Sequence, residues 1–113
     1  RDTSLYMLGW AVATFDAQDA LVSLVHSPDD KGDGEYNDGA YSNPKMDKLI
    51  DDAKTEGNVA KRLTLLHEAL QMHTDDVAHL MLHQQVIPWA MRKNISLTHS
   101  ADNRLRVWWV HIN

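Results

Sequence analysis

The residues with chemical potential in this chain are histidines and aspartates, because there is no cysteine among its 113 residues. That absence excludes disulfides, thiolate metal sites and cysteine nucleophiles. His79 and His83 stand four apart, the spacing that lets two imidazoles share a zinc ion on a helix. The segment around them reads as strand, however, where four residues span about 13 Å. The glutamate of a His-Glu-x-x-His motif is also missing. A small metal-dependent hydrolase built on His79 and His83 is therefore the least favoured reading. His26, His67, His73, His99 and His111 are scattered and are explained as ordinary surface or core histidines. Asp16 and Asp19 offer a carboxylate pair, but a capped helix start accounts for both. The fragment Asp29-x-Lys31-x-Asp33-Gly34 has the outline of a calcium loop. Lysine sits where an oxygen ligand is needed and Ala40 occupies the twelfth position, so the calcium reading is rejected. Asp29, Asp30, Asp33 and Asp38 are read instead as a solvated loop. There is no Gly-x-Ser-x-Gly and no phosphate-cradling glycine loop. Asn94-Ile95-Ser96 matches a glycosylation sequon, a pattern common by chance. The chain is not expected to be an enzyme, and no cofactor or metal is expected.

Composition bounds the rest. Apolar residues make up 43% and charged residues 24%, ordinary globular usage, and a net charge of −5 argues against a nucleic-acid partner. No apolar run approaches the roughly 20 residues that span a bilayer. Arg1-Asp2-Thr3-Ser4 does not open a signal peptide, which says nothing about compartment. The chain is read as one domain over 1–113.

The elements that would position these residues follow from periodicity and punctuation. Leu5-Tyr6-Met7-Leu8-Gly9-Trp10 reads as a buried strand. Ala11 to Phe15 is a loop. Asp16 caps a short helix with Ala20, Leu21, Leu24 and Val25 on its apolar face, ending near His26-Ser27 before Pro28. Ser27 to Tyr41 is a polar, glycine-rich surface loop. Asn43 caps and Pro44 opens the next helix, whose stripe is Met46, Leu49, Ile50 and Ala53. Gly57 stops it and Asn58 caps a longer helix over 58–77, with Val59, Leu63, Leu66, Leu70, His73 and Val77 in line. Leu80 to His83 and Val86 to Met91 are strand-like, with Pro88 confining the second to an edge, bulge or hinge. After a turn at Ser100-Ala101-Asp102-Asn103, Leu105 to Ile112 reads as a final strand, and Trp108-Trp109 implies burial on both faces. The expected fold class is α/β, or an α+β layer: a thin sheet with a helical hairpin packed on it. Gly9-Trp10 would lie where a strand meets a loop, the place where open α/β sheets bind ligands.

Several blocks in order carry a family resemblance. They are Leu8-Gly9-Trp10, Leu21-x-x-Leu24, Tyr41-Ser42-Asn43-Pro44-x-Met46-Asp47-x-Leu49-Ile50, Lys61-Arg62, and Ile87-Pro88-Trp89-Ala90-Met91-Arg92. Together they resemble the extracellular solute-binding proteins of family 5, the peptide- and nickel-type substrate-binding components of ABC transporters, from about Leu5 to Val110. The resemblance implies a C-terminal fragment of a larger two-lobed protein, in the second lobe of a type II periplasmic-binding-protein-like fold. It implies a periplasmic location, with a signal peptide outside this chain. It also implies a peptide or other small-solute ligand and an ABC permease as partner of the full-length protein. Peptide-binding members carry an aspartate shortly after the Gly-Trp pair that holds the peptide's amino terminus. Ala13 stands at that place here, and the nearest acid is Asp16. A ligand without a primary amine is therefore equally compatible. The residues expected on the cleft wall are Trp10 against apolar ligand surface, Ala13, Thr14 through its hydroxyl, Asp16 toward a cationic group, and Asn37 and Tyr41 from the glycine-rich loop. The alternative is a non-catalytic interaction domain that dimerises through uncovered apolar surface, the isolated fragment forming a homodimer.

Overall fold

The computed structural model describes residues 5–113 and is a mixed α+β structure in two compact units, divided after Leu80. The first unit carries the helices: α1 (Ala17–Ala20), a π-helical segment (Leu21–Val25), α2 (Pro44–Thr55) and α3 (Val59–Asp75). The second, Met81–Asn113, carries a two-stranded antiparallel sheet, β1 (Ile95–Ser96) with β2 (His111–Ile112), and a 3-10 turn at Val107–Trp109. Ile95 pairs with Ile112 and Ser96 with His111. None of the helices is long and apolar enough to cross a membrane among the described residues.

The helix starts form as their sequence dictates. Asp16 has extended backbone and its carboxylate accepts the Gln18 amide at 2.9 Å, satisfying one orphan N–H of α1. After Ala20 the helix widens, and the His26 N–H reaches the Leu21 carbonyl at 2.9 Å, a five-residue step. The following loop folds back on this segment. The Gly34 and Tyr36 amides donate to the Val22 and Ser23 carbonyls at 2.8 and 3.0 Å, covering acceptors that the helix end leaves open. Asn43 caps α2 and Pro44 takes its first position; Asn58 caps α3 through the Lys61 amide at 3.1 Å. The stop of α2 differs from expectation. Gly57 does not take a left-handed conformation; the chain leaves the helix at Glu56, whose backbone is extended and whose carboxylate accepts the Asn58 amide.

The core of the first unit is small. Leu21, Val25, Met46, Leu49, Ile50, Ala53, Leu66 and Ala69 are buried in one cluster, with Leu24, Leu65, Tyr41 and Met72 against it. Each large aliphatic member contributes about 1.5–3 kcal/mol through burial. The α2 stripe is buried as expected. The α3 stripe is buried only at Leu66, with His73 partly so. Val59, Leu63, Leu70 and Val77 are exposed, and the packed line is Leu65, Leu66, Ala69 and Met72. The reason is the partner: α3 packs on α2 and on the π-helical segment, with no sheet among the described residues of this unit to meet a wider face.

The expected strands are the main correction. Residues 5–10 form no strand, and Leu5 and Met7 are more than four-fifths exposed. The runs 80–83 and 86–91 are irregular and largely exposed. Of 105–112 only His111–Ile112 is strand; Val107–Trp109 is a 3-10 turn with Trp108 73% exposed, so burial on both faces does not occur. A strand is a pairing, and apolar content alone supplies no ladder partner. What orders the second unit instead is polar. Arg106 forms two parallel bonds to Asp102, at 2.7 and 3.0 Å, and lies 4.9 Å over the Trp109 ring. The Arg106 bonds hold the Asp102 carboxyl well below the usual carboxylate range. The Trp89 ring lies 4.5 Å from that of His99, tilted at 42°, and its N–H donates to Asn103 at 2.7 Å.

Candidate functional site

The expected wall residues fall into two groups. Trp10, Ala13, Thr14 and Asp16 lie along the approach to α1. The Trp10 ring sits 5.1 Å from that of Tyr36, and the two are 37% and 47% exposed, so they present a partly open aromatic face. The Ala13 amide donates to Asp19 at 3.1 Å, and the Thr14 hydroxyl accepts the Asp16 amide at 3.4 Å. These bonds shape the turn. Asp16 caps α1 and also pairs with Arg62 of α3 at 2.8 Å. The Arg62 bond, then the Gln18 amide, hold its carboxyl below the ordinary range. An incoming cation at Asp16 competes with that guanidinium.

Asn37 and Tyr41 form the second group, and Asn37 is not a wall residue. It is fully buried; its amide nitrogen donates to the His26 and Tyr41 carbonyls at 3.0 and 2.8 Å, and its oxygen accepts the Tyr41 amide at 3.0 Å. A buried amide satisfied in this way closes the loop onto the helix end. Tyr41 donates its phenol to Asp76, which also accepts from Asn43 at 2.9 Å. Burial, reinforced by Asp76, pushes the Tyr41 pKa up to about 12. This clasp joins the start of α2 to the end of α3.

Two histidine arrangements emerge that spacing did not announce. His79 stacks on His73, with their ring nitrogens 3.1 Å apart, and its other nitrogen meets the Tyr6 hydroxyl at 3.2 Å. Burial lowers the pKa of both, and for His73 the neighbouring His79 adds to it. His79 thus bonds to His73, six residues back, where the sequence offered His83.

The second arrangement surrounds His26, which is only 6% exposed. Its Nδ1 lies 2.6 Å from the Ser27 carbonyl oxygen. A carbonyl only accepts, so Nδ1 carries the proton. Nε2 is buried without a hydrogen-bond partner and points toward Asp51, whose Oδ1 is 3.7 Å away. Asp33 stands beside them, and Lys54 bridges Asp33 and Asp51. Burial works against the Lys54 charge, but the bonds to Asp33 and Asp51 outweigh it and raise its pKa. The only sequence signal of this juxtaposition is Gly34, whose positive φ of 65° turns the loop back onto His26.

The second unit offers an open apolar depression of about 350 Å³ lined by Trp89, Met91, Ile95, Leu97, Leu105 and Val110, among others. No family model, curated protein or solved structure matches the chain.

Proposed function

We propose that the chain is part of the second lobe of a family 5 extracellular solute-binding protein, the component of an ABC importer that holds a small solute in the periplasm for a membrane permease. The observation that carries this reading is the half-open Trp10–Tyr36 aromatic face beside a turn in which Ala13 stands where peptide binders place an acid. Such a face packs on apolar or planar ligand surface. Asp16, already paired with Arg62, leaves the turn without a free carboxylate for a peptide ammonium, which favours a solute lacking a primary amine. The mechanism is closure of two lobes around the solute, a shift of population toward the closed form. The exposed large apolar side chains, more numerous than the buried ones among the described residues, are the surface the rest of such a protein would cover.

A thermal-shift screen of the full-length gene product tests this, using dipeptides, oligopeptides, glutathione and amine-free solutes. A ligand that binds only the folded state raises the melting temperature by mass action. The expected result is a shift with an amine-free solute that is lost in Trp10→Ala. A shift confined to peptides and lost in Asp16→Ala would reassign the ligand class, and no shift with any solute would remove the binding reading.

A second reading, a non-catalytic interaction domain, is favoured by the uncovered face of Val59, Leu63 and Leu70 on α3. It predicts a mass in solution that rises with concentration and falls back to monomer in Leu63→Lys.

A further inference from the structure

We propose that His26, Asp33 and Asp51 form a binding site for a divalent transition-metal ion of the zinc class, with Lys54 as the built-in cation that the metal displaces.

The donor set comes from three elements. His26 follows the π-helical segment, Asp33 lies in the glycine-rich loop, and Asp51 is on α2. One donor atom from each lies within 4.8 Å of the other two, and His26 Nε2 and Asp51 Oδ1 are 3.7 Å apart. Donors around a tetrahedral zinc with bonds of about 2.0–2.2 Å stand about 3.3–3.6 Å from one another. The His26–Asp51 pair is almost at that spacing, and rotation of the carboxylates would bring the three donors, all within 4.8 Å of one another, closer together. Asp51 is free to make that rotation, since its side chain is 56% exposed.

The imidazole is what distinguishes this cluster from an ordinary acidic patch. Its Nδ1–H is fixed on the Ser27 carbonyl, and the Ser27 amide is in turn held by Asp47 at 2.9 Å. That bond sets the tautomer and leaves the Nε2 lone pair directed at the two carboxylates, the arrangement that metal-ligating histidines use. A buried ring nitrogen without a partner is costly unless something meets it. Lys54 answers the two carboxylates, while Nε2 is left without a bond. A metal ion satisfies all three donors together. An imidazole with two carboxylates selects zinc, manganese or iron over calcium and magnesium, which prefer all-oxygen shells. Three protein ligands leave at least one position for water or solute.

Backbone geometry shows that the loop is held at this place. Gly34 sits against His26 so closely that an added Cβ would lie 2.2 Å from the His26 carbonyl oxygen. Its amide donates to Val22, and the Asp33 amide is held by the Asp29 carboxylate at 3.0 Å.

The test is calorimetric titration of the chelator-treated full chain with zinc, with magnesium and calcium as hard-cation controls. The expected result is one zinc per chain, with weaker or no uptake of the controls. Asp51→Asn should lower the zinc affinity by at least about tenfold. Lys54→Gln should raise it, because a competing positive charge is gone. Asp51 is exposed on α2, and both variants are checked for native helix content before titration. His26→Gln, checked for native helix content, should abolish binding. Absence of zinc uptake, or an affinity unchanged in Asp51→Asn and Lys54→Gln, would overturn the proposal. So would zinc binding lost in His73→Gln instead, since that places the metal at the His73–His79 pair.

Discussion

The Asp16 carboxylate joins two helices: one oxygen accepts the Gln18 amide at 2.9 Å to cap α1, and the other meets the Arg62 guanidinium of α3 at 2.8 Å. The cap and the cross-helix pair are separable by substitution. Asp16→Asn keeps a capping oxygen and loses the charge, whereas Asp16→Ala loses both. Asp16→Ala is expected to lower stability by about 1 kcal/mol, and Asp16→Asn by clearly less, in urea denaturation. The carboxyl's folded pKa lies below its unfolded value of 3.8. Its contribution is therefore complete above that value and lost as pH falls through the depressed one. Equal losses in the two variants would assign the effect to the Arg62 pair alone.

Gly34 and Gly32 both have positive φ, 65° and 94°, but only Gly34 has no room for a side chain. Gly34→Ala combines left-handed strain with overlap on the His26 carbonyl and the Pro28 nitrogen, and is expected to cost about 3 kcal/mol. Gly32→Ala meets no atom within 4 Å and should cost about 1 kcal/mol, from conformation alone. Chemical denaturation of the two variants side by side checks the difference. Similar values would mean that the loop yields and that its seat on His26 is soft.

Val77 ends α3 in a conformation that suits glycine. It has φ 51°, its amide donates to the Thr74 carbonyl, and the Ala78 amide donates to the His73 carbonyl, the paired bonds of a Schellman ending. A β-branched residue is strained there, and Val77 is 60% exposed, so its side chain contributes little packing. Val77→Gly is expected to stabilise the first unit by about 1 kcal/mol, read as a raised denaturation midpoint. A lowered midpoint would show that the valine side chain packs more than its exposure indicates.

The parts of this fold that were legible in the sequence are those specified by local chemistry. Asp16, Asn43 with Pro44, and Asn58 mark the helix starts, and the Met46, Leu49, Ile50, Ala53 stripe is buried as its spacing dictates. What failed depends on partners distant in sequence. The apolar runs at 5–10, 80–83 and 86–91 meet no neighbouring strand, and the face of α3 turned out to be decided by α2. The site divides in the same way. Trp10 is partly open, but not at the end of a strand, since residues 5–10 form none; Asn37, expected on the cleft wall, is the buried clamp of its loop. The meeting of His26 with Asp33 and Asp51 had no periodicity to announce it, because it arises from a loop closing on a helix end.

The last prediction concerns acid sensitivity near neutral pH. His73 and His79 are stacked and half-buried, and burial depresses both pKa values below the usual 6.5, with the mutual repulsion of two charged rings adding to it for His73. The unfolded chain therefore binds protons on these rings before the folded chain does. The sign follows: stability is complete above pH 6.5 and declines as pH falls through the depressed folded values. The Tyr6 hydroxyl bonded to His79 is a neutral partner that does not reverse this. Melting temperatures measured from pH 8 down to pH 5 should fall, and the fall should be shallower in His73→Gln, which removes one titrating ring and the repulsion between the two. An identical pH slope in the variant would move the acid sensitivity to other groups, of which the Asp16 and Asp76 carboxyls, both held low by their partners, act only at more acidic pH.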